Sequence, residues 1–140
     1  MSCKIDVDKS KVIQNNAFLT LVPRNKDGKE IGKAEATILK TDRKFIWLLD
    51  LQVIPECRDQ KVGSKIIGKL AQIGKMEKAE LVYAYPAEPS GVKEPIPQEK
   101  IENFYKNNGF VPCAAPKDVA TLTNEGLEKK GGVCLKLGVK

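Results

Sequence analysis

The sequence predicts an α+β fold, an α/β sandwich built on one mixed sheet, and three observations predict it. Residues 45–54, "FIWLLDLQVI", are apolar on both faces of an extended chain, as in a central strand covered by helices. From Gly63 to about Lys78 the apolar period becomes helical, with Ile66, Ile67, Leu70, Ala71 and Ile73 on one face and Lys65, Lys69 and Gln72 on the other. Around these, shorter runs alternate or read as strands, so strands and helices share one chain without segregating into halves.

Taken in order, "AFLTLV" at residues 17–22 is the first strand. Asp27-Gly28 marks a tight turn into "IGKAEATILK", where Ala34, Ala36 and Ile38 alternate with Lys33, Glu35 and Thr37. These two segments predict an antiparallel hairpin. The central strand follows and stops at Pro55, which cannot donate to a ladder. After the first helix come the strand "ELVYAY" and a proline-rich loop over residues 86–97. A second amphipathic helix begins near Pro97, carries Ile101, Phe104 and Tyr105 on one face, and stops at Asn108-Gly109. "GGVCLKLGVK" alternates as a last strand, with residues 111–122 as the source of its partner. Gly68 and Gly74 each cost about 1 kcal/mol in a helix interior, which close packing on a sheet would explain and simple tolerance would not require.

With 140 residues the chain reads as one domain, 1–140, with enough length to bury a core. No apolar run reaches the roughly 18 residues that span a membrane, and the charged start "MSCKIDVDKSK" lacks a signal-peptide core. These features predict a cytoplasmic protein, monomeric or homodimeric. The four cysteines, Cys3, Cys57, Cys113 and Cys134, show no CxxC spacing, and histidine is absent. Reduced structural thiols are therefore expected, with neither a metal site nor a disulfide framework. The net charge of 24 − 18 = +6 favours anionic partners. The basic residues are scattered and aromatics make up 6% of the chain, which argues for one local anion site and against a nucleic-acid-binding face.

That local site falls at the junction "VIPECRDQKVGSKIIGKL", residues 53–70, where a strand hands over to a helix. A helix N-terminus presents unpaired N–H groups and a partial positive charge, a ready place for phosphate. Gly63 would let a ligand approach the backbone, and Arg58 could fork onto a phosphate. The spacing is neither GxxxxGK nor GxGxxG. The residues alone give an anion site, with phosphate the natural occupant.

The run "LDLQVIPECRDQKVGSKIIGKL" resembles the acetyl-CoA signature of the GNAT superfamily, the acetyl-CoA-dependent N-acetyltransferases, through Leu51, Val53, Pro55, Arg58, Lys61 and Gly63. "QEKIENFYKNNGF" resembles the family's second landmark, with Tyr105 four residues before Gly109. The resemblance covers residues 17–140. It implies a mostly antiparallel sheet whose splayed central strand holds acetyl-CoA, and direct attack of a primary amine on the thioester in a ternary complex, without a metal. It further implies that the backbone of Gln52 and Val53 holds the pantetheine arm. Amides of Arg58, Asp59, Gln60, Lys61, Val62, Gly63 and Ser64 would hold the diphosphate, and Gln98 would also touch the cofactor. Tyr105 would protonate the leaving thiolate. Asp50 is the candidate for receiving the acceptor's ammonium or its proton, since an acid inside a strand needs a reason. Tyr85 and Glu88 are weaker candidates, and Cys57 has no histidine to activate it.

Three departures stand out. Lys61 occupies a usual glycine position, where a positive φ would be strained. Gln98 replaces a frequent asparagine. About 16 residues precede the first predicted strand, leaving little room for helices over the acceptor site and predicting an open cleft. The alternative function is a GNAT-fold acetyl-CoA sensor that regulates a partner protein.

Overall fold

A computed structural model of the chain describes residues 2–40, 43–58, 60–84, 97–112 and 135–138. The segments expected to hold the proline-rich loop, Tyr85, Glu88, Cys113 and Cys134 lie outside the described residues, as does Asp59. Seven strands and two helices follow one another as β1 (Lys11–Asn15), β2 (Phe18–Val22), β3 (Gly32–Lys40), β4 (Lys44–Val53), α1 (Val62–Met76), β5 (Leu81–Ala84), α2 (Gln98–Asn107), β6 (Val111–Pro112) and β7 (Leu135–Gly138). They form a single sheet in the order β1-β2-β3-β4-β5-β7-β6. Only β4 and β5 run parallel. A parallel pair needs a long crossover, and α1 is that crossover.

The predicted hairpin is β2–β3, with Leu19 opposite Ala36 and Leu21 opposite Ala34. Its connection depends on a residue that the turn signal Asp27-Gly28 does not reveal. Asn25 is fully buried, its Oδ1 accepts the N–H groups of Asp27 and Lys29, each at 3.0 Å, and its Nδ2 donates to the Ser2 carbonyl at 3.0 Å. A buried amide with these contacts fixes the turn and ties the N-terminal segment to it.

Strand β1 was not expected, since the first strand was placed at residue 17. All five of its residues are exposed, so no burial pattern marks it. It folds back on β2 through the two-residue turn Asn16-Ala17, with Asn16 at φ 56°. Asparagine adopts that conformation more readily than most residues. The turn leaves no helix between β1 and β2, as the short N-terminal region predicted.

The cysteine expectation is corrected. Cys3 and Cys57 form a disulfide with a Cα–Cα distance of 5.3 Å, across a sequence separation of 54. That separation hid the pair from any spacing rule. Closing a loop of this length restricts the unfolded chain by about 4 kcal/mol.

One face of the sheet carries the main core. Leu19, Leu21, Ala34, Ala36, Ile46 and Leu48 meet Val62, Ile66, Ile67 and Leu70 of α1, joined by Ile101 and Tyr105 of α2. The α1 face is the one read from its period, except that Ala71 is only half-buried. On the other face Phe45 and Tyr83 pack edge to face at 5.1 Å, with Trp47 6.1 Å from Tyr83. Among the described residues no helix is long and apolar enough to cross a membrane.

The two helix glycines separate. Gly74 is buried, in line with close packing, whereas Gly68 is exposed and a Cβ there would meet nothing within 4 Å. Gly68→Ala should therefore stabilise the protein by about 1 kcal/mol. Thermal denaturation should show a Tm rise of a few degrees; an unchanged or lower Tm would contradict the open environment of Gly68.

Candidate functional site

The site forms where β4 leaves its neighbours. In the β3–β4 ladder Ala36 pairs with Leu48 but Glu35 pairs with Asp50, so Leu49 is an extra residue. Such a bulge shifts the alternation by one. Before it, Ile46 and Leu48 face the α1 core; after it, Leu51 and Val53 do. Asp50 and Gln52 are thereby turned to the opposite face. Without the bulge they would point into an apolar core.

The parallel ladder to β5 covers only Phe45–Leu48 against Leu81–Ala84. Beyond Leu48, β4 has no pairing with β5 among the described residues. Over Leu49–Val53 the described pairing of β4 is to β3. The backbone of Gln52 and Val53, expected to hold the pantetheine arm, lies on this stretch.

Past Val53 the chain makes a 3₁₀ turn, Pro55–Cys57, in which the Cys57 N–H donates to the Ile54 carbonyl at 2.9 Å. The Arg58 N–H donates to the Pro55 carbonyl and the Gln60 N–H to the Cys57 carbonyl, both at 3.3 Å. These two amides of the expected cradle are engaged in holding the turn itself. The Cys3–Cys57 disulfide fastens the same turn to the N-terminal segment.

Lys61 then takes φ 64°, ψ 14°, the left-handed conformation, and caps α1 without a side-chain hydrogen bond. The strain foreseen for a lysine at this position is present, at a cost of roughly 1–2 kcal/mol. The first amide bond back to Lys61 comes from Lys65, at 3.1 Å. The N–H groups of Val62, Gly63 and Ser64 have no acceptor within the helix. With the N-terminal dipole they present the partial positive charge that the expected anion cradle requires.

Gly63 serves this cradle differently from the expectation. A Cβ there would lie 2.8 Å from Cζ and 2.9 Å from Cε1 of Phe104. The close approach recorded at Gly63 is that of the Phe104 ring, so glycine allows α2 to lock onto the first turn of α1. Nothing in the sequence marks Phe104 for this contact.

Tyr105, the next residue, is buried and flanked edge to face by Phe104 and Phe110, each ring 5.2 Å away. Its phenol is pushed well above the ordinary value of about 10, first by burial and then by the Asp50 carboxylate. The two candidate catalytic residues, on α2 and β4, are thus within electrostatic reach of one another. At neutral pH the phenol is fully protonated. The sign for stability follows: the contribution is complete below about pH 10 and is lost as pH rises beyond it.

Asp50 Oδ2 accepts a hydrogen bond from Gln52 Nε2 at 2.8 Å. Opposite them on β3 stand Glu35, the partner of Asp50, and Lys33, the partner of Gln52. Lys33 Nζ contacts Glu35 Oε1 at 2.9 Å. Leu49, Lys33 and Glu35 were not foreseen as site residues, because only the register reveals them. Gln98 opens α2, but its side chain lies outside the described residues.

Known proteins share this fold. The family model for the acetyltransferase (GNAT) family matches residues 4–110. Among solved structures, a candidate acyl-CoA N-acyltransferase from Klebsiella pneumoniae is similar, with a TM-score of 0.69, 15% identity, and 91% of this chain and 77% of that one covered. A PaiA N-acetyltransferase from Thermoplasma acidophilum, in complex with coenzyme A, has a TM-score of 0.62 and 18% identity, with 87% of this chain and 61% of that one covered. A candidate streptothricin acetyltransferase from Bacillus anthracis, in complex with acetyl coenzyme A, gives 0.65 and 15%, with 91% and 67% covered. At these identities the likeness is one of fold. No curated protein sequence matches the chain. With more than half its length under the family model, this chain belongs to the acetyltransferase (GNAT) family.

Proposed function

We propose that the protein transfers an acetyl group from acetyl-CoA to a primary amine. The observation that carries this reading is the succession, in one run of chain, of the bulged end of β4, which bears Asp50, and the amide-bearing start of α1, with the buried Tyr105 phenol within electrostatic reach of Asp50. The CoA-containing relatives support it.

The residues present fit acetyl-CoA. The N–H groups of Val62, Gly63 and Ser64, with the Lys61 backbone, would hold the diphosphate. Arg58 and the Lys61 ammonium would add charge to it. The β4 edge at Gln52 and Val53 would accept the pantetheine arm as a strand accepts a neighbour. Acetyl-CoA supplies an acyl group activated as a thioester. Tyr105 holds a proton for the departing sulfur, whose thiol form has a pKa near 8.5. Asp50, steadied by Gln52, receives the ammonium of the acceptor and gives its proton a path away. No helix separates β1 from β2, so the face that carries Asp50 lacks that cover and suits a bulky acceptor.

Two variants test this reading. Ser64→Asp adds a negative charge at the third residue of α1. The helix dipole should make the fold slightly more stable, by about 0.3–1 kcal/mol. Acetyl-CoA affinity should nevertheless fall at least tenfold, measured by calorimetry, because that charge opposes the diphosphate. A folded variant with wild-type affinity would remove the cradle. Tyr105→Phe should lower kcat by about a hundredfold at nearly unchanged acetyl-CoA affinity. Because the phenol stays protonated, the wild-type pH profile should show no alkaline decline assignable to Tyr105 below about pH 10. An unchanged kcat would take Tyr105 out of the mechanism.

A further inference from the structure

The acceptor side of the cleft contains an arrangement that costs stability unless a cation is present. Glu35 and Asp50 are direct cross-strand partners, and the alternation of both strands puts them on the same face, away from α1. Like charges directly opposite in a sheet repel. The chain meets that repulsion with its own lysine. Lys33, also on this face, places Nζ 2.9 Å from Glu35 Oε1. Its ammonium is held above the ordinary lysine value first by the hydrogen bond and charge of Glu35, and further by Asp50 and Glu30. An alkylammonium therefore already sits on Glu35, within electrostatic reach of Asp50.

We propose that Lys33 sets acceptor selectivity by occupying the place the acceptor's ammonium must take, and that the acceptor is a cationic alkylamine with no carboxylate beside its amine. This rests on the acetyl-transfer reading for its location. The chemistry is that of exchange. Both Lys33 and Glu35 are about half exposed, at 49% and 46%, so their ion pair is screened and cheap to break. An incoming ammonium replaces Lys33 against Glu35 and reaches Asp50, which Gln52 holds by the 2.8 Å hydrogen bond. Asp50 is the carboxylate that the acetyl-transfer reading assigns to the acceptor, so an amine seated there takes the acceptor's place. An amine with a carboxylate one carbon away would set that negative charge against Glu35 and Asp50 and be rejected. Lys33 is thus a selectivity residue that acts by competition and does not enter the chemistry.

The test is calorimetric titration with cadaverine at low salt, on wild type, Lys33→Met, Lys33→Arg and Glu35→Gln, with glycine as the carboxylate-bearing control. These side chains are half exposed, so folded variants are expected, and circular dichroism verifies them. Removing the competing charge in Lys33→Met should tighten cadaverine binding by roughly five- to tenfold. Lys33→Arg should bind as wild type, Glu35→Gln should bind several-fold more weakly, and glycine should give no heat of binding. Equal affinities across the four proteins, no cadaverine binding, or glycine binding as well as cadaverine would each overturn the proposal. Acetyl-CoA turnover, measured separately, keeps the two readings apart. Charge-dependent cadaverine binding without turnover would leave this site standing and sink acetyl transfer. Turnover with charge-insensitive cadaverine binding would sink this inference alone.

Discussion

The insertion of Leu49 into the β3–β4 ladder shifts the alternation of β4 by one residue, and the geometry of the cleft follows from that shift. Upstream, β4 is held by β3 on one edge and β5 on the other, with both faces buried at Phe45–Leu48. Downstream, the pairing among the described residues is to β3. The same residue that ends symmetric pairing turns Asp50 and Gln52 away from the apolar core and sends Leu51 and Val53 into it. Two polar side chains that would be costly on the α1 side become available at an open edge. A bulge is a device for re-aiming side chains, and here it re-aims Asp50 and Gln52.

The helix that follows converts this edge into a two-ended site. Pro55 stops the ladder, the short turn reverses the chain, and Lys61 accepts a left-handed backbone so that α1 starts with its amides unspent. The strain at Lys61, roughly 1–2 kcal/mol, is small beside the burial of Val62, Ile66, Ile67 and Leu70 directly behind it. Gly63 lets Phe104 press onto that first turn, and Phe104 is the neighbour in sequence of Tyr105. The contact ties the start of α1 to the helix that carries Tyr105. The disulfide from Cys3 fastens the turn from the opposite direction.

Much of this was legible in the residues. The period of α1, the two-faced apolar run of β4 and the stop at Pro55 each reflect a pattern repeated over many positions, and they appear where expected. The left-handed backbone of Lys61 falls where the family pattern usually has glycine. What was hidden has a common cause. β1 is exposed throughout, so its sequence carries no burial signal. Leu49 looks like one more apolar residue in "LLDL", and its insertion is visible only through its partners on β3. Cys3 and Cys57 are joined by tertiary folding, not by spacing. Gly63 was read as room for a ligand because the side chain that fills the space comes from a helix some forty residues on. Pairwise facts of this kind, including Lys33 beside Glu35 and Asp50, require the register.

The most direct test of the account is a calorimetric titration of the purified protein with acetyl-CoA, paired with a thiol-release assay over a panel of primary amines. The account predicts saturable one-to-one binding and release of free thiol that depends on the amine. Binding without thiol release from any amine would contradict the catalytic role of Tyr105 and Asp50 and favour a sensor of acetyl-CoA. The absence of binding would contradict the cradle itself and leave the junction of β4 and α1 as no more than a way to begin a helix.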